Sequence, residues 1–133
     1  MSNGKSLKSG LVAYVLADPT VSGLISNRLY AKRASQNNPA PYIVWSTVSA
    51  DETAAHDGPT GLEEFRIQFS IYAETISDSE SVRDALKDRI NGFSGSMGLV
   101  TVGSCFFKNE IDLHDDTVGL KHKVVDFNIS LNA

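Results

Sequence analysis

The clearest periodicity of the chain runs from Leu62 to Ala73. Phe65, Ile67, Phe69, Ile71 and Ala73 interleave with Glu64, Arg66, Gln68, Ser70 and Tyr72. Successive side chains of a strand point to opposite faces, so this stretch predicts a strand with one apolar and one polar face. A sheet of such strands buries one face and leaves the other to water or to a partner. That demand shapes the reading of every other segment.

The last strand, Leu120 to Leu131, repeats the pattern, with Val125, Phe127, Ile129 and Leu131 facing the core. Pro41 to Val48 is rich in β-branched and aromatic residues and predicts another strand. Leu99 to Phe107 predicts a fourth, with Val100, Val102, Ser104 and Phe106 on one side. Glu110 to Leu113 continues it past a bulge, and residues 115–119 turn the chain. Arg28 to Ala31 reads as a brief strand. Lys32 to Ala40 and Ser49 to Gly61 read as polar loops, the second containing Asp57-Gly58 and Pro59.

Three segments carry helical spacing instead. Leu7, Leu11, Val12, Val15 and Leu16 line one face over residues 5–17. Asp18-Pro19 then predicts a restart, with Asp as N-cap and Pro at the first helical position. Val21, Leu24 and Ile25 form the apolar face of this short second helix. Ser77-Asp78-Ser79-Glu80 predicts a capping box opening a third helix to about Asn91. Gly92 fits its left-handed end. Val82, Ala85, Leu86 and Ile90 form its buried face, and Arg83, Asp84, Lys87, Asp88 and Arg89 a solvated one. The order predicts a single α+β domain over residues 1–133, with a mainly antiparallel sheet and helices packed on one face.

A chain of 133 residues with 41% hydrophobic residues can bury a full core. The formal charge of −4 argues against a nucleic-acid binder, which needs a basic face. The single cysteine, Cys105, excludes an internal disulfide and reads as a small buried residue. The first apolar run is broken by Gly10, Tyr14 and Asp18, so it reads as a helix rather than a signal peptide. No stretch reaches the length of a membrane span, and the expected setting is soluble and intracellular.

Chemistry is hard to find. Of the histidines His56, His114 and His122, the first two have acidic neighbours, but the set lacks the three or four ligands at tight spacing that zinc needs, and solvated loop residues are the plain reading. Cys105 has no adjacent base. No nucleophile elbow, phosphate loop or dinucleotide fingerprint is present. The expectation is a protein without catalytic residues, cofactor or metal. Lys32 and Arg33, with Arg28 upstream, form the densest basic cluster, and Tyr30 and Tyr42 flank it. It reads as a rim of loop charges, with base stacking as the alternative.

Several short segments, taken in order, resemble a known family. They are the apolar helix ending at Leu16, then Asp18, Val21, Leu24 and Ile25, then Arg28-Leu29-Tyr30 and Pro41-Tyr42-Ile43-Val44. The alternating strand FRIQFSIYAE and the helix SESVRDALKDRI follow. Asp116-Thr117-Val118-Gly119-Leu120 and Val125-Asp126-Phe127-Asn128-Ile129 close the run. Over about residues 8–131 the chain is similar to the tail-completion, or tail-terminator, proteins of long-tailed bacteriophages. Ala31 stands where that family often has proline.

The resemblance implies a structural virion protein that forms a six-fold ring on the tail tube. Such a ring ends tube growth, docks the head connector and lets genomic DNA pass through its lumen without specific binding. Interface candidates under this reading are Arg28, Tyr30, Lys32, Arg33, Tyr42, Trp45 and Arg66. Arg28 and Tyr30 would anchor a loop base, while Tyr42 and Trp45 could equally fill core. Arg66 would hinder DNA sliding unless Glu64 or a neighbouring chain neutralised it. The alternatives are a head-side neck protein, or a small ligand-binding domain with a polar pocket.

Overall fold

In the computed structural model, residues 4–31, 39–55, 58–113 and 119–131 are described, with side chains left out at 4–5 and 51–62. Helices α1 (Gly4–Leu16) and α2 (Pro19–Ile25) come first, followed by strands β1 (Leu29–Ala31), β2 (Tyr42–Ala55) and β3 (Gly58–Ala73). Helix α3 (Ile76–Ile90) and strands β4 (Gly95–Met97), β5 (Val100–Leu113) and β6 (Lys121–Leu131) complete the chain. The strands form one six-stranded sheet in the order β1-β2-β3-β6-β5-β4, with β1–β2 parallel and the other pairs antiparallel. The fold is α+β, as the sequence predicts.

The alternation places the core where expected. Phe65, Ile67, Phe69, Ile71 and Ala73 are buried, and so are Val125, Phe127, Ile129 and Leu131 beside them. The helices supply Leu7, Leu11, Val15, Val21, Ile25, Val82, Leu86 and Ile90 to the same cluster. Helix α1 comes close to β4 through glycine. A Cβ on Gly10 would stand 2.4 Å from the Met97 carbonyl oxygen, so only hydrogen fits there.

Asp18 Oδ2 accepts a hydrogen bond from the Val21 amide at 3.2 Å, and Pro19 opens α2 as predicted. The cap of α3 differs from the sequence reading. Thr75, not Ser77, takes the N-cap, its Oγ1 accepting from the Asp78 amide at 3.0 Å. Several of Thr75, Ser77 and Ser79 can cap, and the end of β3 at Ala73 selects the first. Gly92 has φ 84°, the left-handed value expected at the helix end.

Three further expectations are corrected. Ser49 to Gly61 is not a long loop: β2 and β3 stay paired through Ala50↔Phe65, Glu52↔Glu63 and Ala54↔Pro59, with two register shifts. Pairing resumes past the second shift at Ala54↔Pro59 and Ala55↔Gly58, so the Gly- and Pro-containing residues that read as loop belong to the strands. Phe106 does not share a face with Val100 and Val102. A register shift between Val102 and Ser104 changes the phase, so Cys105 is buried and Phe106 faces outward. The solvated face of α3 is partly engaged, because Arg89 Nε donates to the Tyr14 carbonyl at 2.9 Å and its guanidinium lies 3.7 Å from the Tyr14 ring centre.

Candidate functional site

The three described helices pack against one face of the sheet, and among the described residues the other face carries no helix. Its side chains follow from register. Tyr42 pairs with Tyr72, Tyr72 with His122, and His122 with Leu113, which makes one row across β2, β3, β6 and β5. The rings touch along it. Tyr42 and Tyr72 stack at 5.0 Å, Tyr72 and His122 at 4.3 Å, and Tyr30 on β1 meets Tyr42 edge-on at 6.3 Å. Offset and edge-on rings of this spacing attract one another beyond the area they bury. Burial first, and then the nearby Tyr30, push the Tyr42 hydroxyl above its ordinary pKa, so it stays a neutral donor.

The other half of the face is polar. Arg66 donates to Asp126 Oδ2 through Nη2 at 2.6 Å and through Nε at 3.1 Å. Asp126 is nearly buried, 7% exposed. The pair cancels the charge that alternation placed on this surface. The neutralising group is neither Glu64 nor a neighbouring chain but Asp126 of the adjacent strand β6, which pairs with Gln68 and lies two residues from Asn128, the partner of Arg66. Glu64 instead accepts from the Ser130 hydroxyl at 3.3 Å.

The remaining interface candidates scatter. Arg28 donates from Nε to the Pro41 carbonyl at 3.0 Å, tying the residue before β1 to the residue before β2. Trp45 lies on the helix side, 6% exposed in the core. Tyr30 and Tyr42 belong to the aromatic row. Lys32 and Arg33 lie outside the described residues, as do His56 and His114. His122 sits in β6, inside the predicted last strand, against Tyr72.

Sequence reasoning missed a charged cluster at the helix side of the sheet end. Lys123 is 1% exposed, and its Nζ lies 2.9 Å from Glu80, 3.2 Å from Glu110 and 2.6 Å from Asp112. Arg83 Nε donates to the other oxygen of Glu110 at 2.5 Å. Burial works to lower the lysine pKa, but hydrogen bonds to Asp112, Glu80 and Glu110 outweigh it and raise the net value. Burial likewise works to raise Glu110, and the bonds from Arg83 and Lys123 reverse it. The signal was present, since alternation in β6 sends Lys123 to the core face with Val125. The partners come from α3 and β5, far apart in sequence.

Burial pushes the Cys105 thiol up to about 12, which leaves no thiolate to attack. Among the described residues no group of three or more His, Cys, Asp or Glu is placed to hold a metal. No described helix is long and apolar enough to cross a membrane.

Solved structures share the fold. A chain of the virion of a native gene transfer agent particle is 14% identical, with a TM-score of 0.68 over 96% of this chain and 98% of that one. A second solved chain, which carries no functional name, is also 14% identical, with a TM-score of 0.59 over 100% and 97%. The gp17 protein of bacteriophage SPP1 is 18% identical over 96% and 90%, with a TM-score of 0.48. No curated protein matches the chain. The sequence profile of the tail completion protein gp17 family matches residues 9–131. The protein therefore belongs to the tail completion protein gp17 family, and is a structural component of a phage tail or neck, not an enzyme.

Proposed function

We propose that the protein assembles into a ring, six-fold as the family resemblance suggests, on the head-proximal end of the phage tail tube. The ring forms in the host cytoplasm, stops further tube subunits from adding and presents a docking surface to the head connector. The observation that carries this reading is the two-sided sheet. One face is sealed by three helices, and the other is left open with its arginine neutralised in the same chain by Asp126. Turned toward the lumen, such a face offers passing DNA no strong phosphate site, because phosphate binding requires uncompensated cations. Closed rings are built from heterologous contacts between identical chains, which a one-domain protein with two unlike edges can make.

The test is electron microscopy of phage tails made with and without the protein. Tubes of normal length bearing a ring at one end, and overlong tubes in its absence, are expected. Tails of normal length without it would overturn the terminator role. A ring whose lumen is lined by the helices would overturn the placement of the open face.

A further inference from the structure

Among the described residues each edge of the sheet is covered at one end only. On one side β1 pairs with Ile43, Val44 and Trp45, and among the described residues no strand lies outside β2 beyond Trp45. On the other side β4 pairs with Val100, Thr101 and Val102 of β5. The Gly92 amide then donates to the Cys105 carbonyl at 2.8 Å, and the Asn91 side-chain oxygen accepts from the Phe107 amide at 2.9 Å. Among the described residues no strand lies outside β5 from Lys108 to Leu113. Open edges of this kind pair with other strands.

The two open stretches complement each other. Ile111 and Leu113 are 48% and 44% exposed on one edge, and Val48 is 49% exposed on the other. A cleft of about 290 Å³ lies beside the open part of β2, lined by Lys8, Ala31, Trp45, Ser46 and Thr47. Thr47 Oγ1 is buried there and has no hydrogen-bond partner. On the opposite edge the side chain of Asp112 is 75% exposed. One edge thus offers an exposed carboxylate, whose Oδ1 already accepts from Lys123 Nζ at 2.6 Å, and the other a lysine and an unused hydroxyl.

We propose that residues 109–113 of β5 in one copy pair antiparallel with residues 46–50 of β2 in the next. Leu113 stands opposite Ser46, Ile111 opposite Val48, and Asp112 points to the cleft of Thr47 and Lys8. The inference rests on the ring reading above. Direction agrees: β2, β3, β6 and β5 alternate, so a neighbour's β2 in the same orientation runs antiparallel to β5. Faces agree as well, since Leu113 and Ser46 both belong to the open face, where their partners His122 and Gln68 lie.

The offset has a geometric consequence. Within one copy Leu113 shares a row with Tyr42. Facing Ser46 of the neighbour instead shifts each copy by about four residues, roughly 13 Å at the usual strand rise. Four strands per copy and about four residues of shift give a shear of about one residue per strand. Eight-stranded barrels of shear 8 share that ratio, with a strand tilt of about 36°. The pairing therefore matches a ring that closes through tilted strands.

Disulfide trapping tests it. Val48→Cys and Ile111→Cys are combined in one chain in a Cys105→Ala background, assembled on tube ends and oxidised. Cβ atoms facing across an antiparallel pair lie within disulfide reach. A ladder of cross-linked species up to the full ring is expected on a non-reducing denaturing gel, while each single variant stays uncross-linked. Rings seen by microscopy without a ladder would overturn the strand pairing and leave the ring standing. Dimers from either single variant would overturn it in favour of a two-fold contact. Absence of rings with the unsubstituted protein would overturn both readings. Lys8→Glu is expected to weaken assembly at least tenfold with unchanged unfolding of the single chain, and unchanged assembly would overturn the contact with Asp112.

Discussion

The two faces of this sheet share the same strands but use different physics. The helix side is dense and apolar, with Phe69 and Phe127 meeting edge-on at 5.7 Å among aliphatic side chains. The open side holds together laterally, by stacked rings at one end and an ion pair at the other. Burial stabilises the first in proportion to the apolar area hidden from water. The second gains less per residue, because its groups remain half exposed and exchange water contacts for one another. One face can therefore specify the fold while the other stays available for assembly.

The sharpest way to break this comparison is to truncate neighbours on opposite faces. Phe69→Ala is expected to cost about 3–5 kcal/mol, since it opens a cavity in the core. Tyr72→Ala should cost only about 1 kcal/mol, mainly the lost stacking. Urea denaturation of both variants decides it, and equal losses would show that the open face is a second core.

Gly10→Ala probes how tightly the helix layer sits. The added methyl meets backbone at Met97, so α1 or β4 has to move, and a loss of about 2 kcal/mol is expected from overpacking. An unchanged melting temperature would mean that the layer has slack.

Lys123 sharpens the comparison at the sheet end, where the helix side becomes charged. Lys123→Met leaves three partly exposed carboxylates without their ammonium, and a loss of about 1–2 kcal/mol at neutral pH is expected after allowing for solvent screening. Glu110 gives this cluster a pH signature. Its folded pKa lies below the ordinary 4.5, so its stabilisation is complete above that value and is lost as pH falls through the folded one. Lys123 is shifted the other way, and its contribution holds below its ordinary pKa of 10.5 and fades as pH rises through the folded value. Melting curves of Glu110→Gln across the acid range should be flatter than those of the unsubstituted protein.

The smallest stability effect is expected on the open face. Asp126→Asn leaves the Arg66 charge uncompensated, at a cost of about 1 kcal/mol. Retention on a heparin or DNA column should rise at low salt and vanish as salt increases. Unchanged retention would show that Arg66 is not accessible to phosphate.

The sequence by itself determined the α+β class, the order of the main elements, the capped start of α2, the glycine at the end of α3 and the buried set of β3 and β6. Each of these follows from local periodicity or from a residue's own backbone preference. It also carried the family, because ordered short segments survive where individual motifs are weak. Only the tertiary structure decided three things. The bulge in β5 set the phase of Phe106, since an inserted residue changes register without changing composition, and the pairing of β2 with β3 turned an expected loop into strand. The aromatic row and the Arg66–Asp126 and Lys123 clusters join residues from separate strands and α3, whose meeting depends on strand order. Strand order also decided which edges remain open, and an edge is defined by the absence of a neighbour, which no local pattern of side chains encodes.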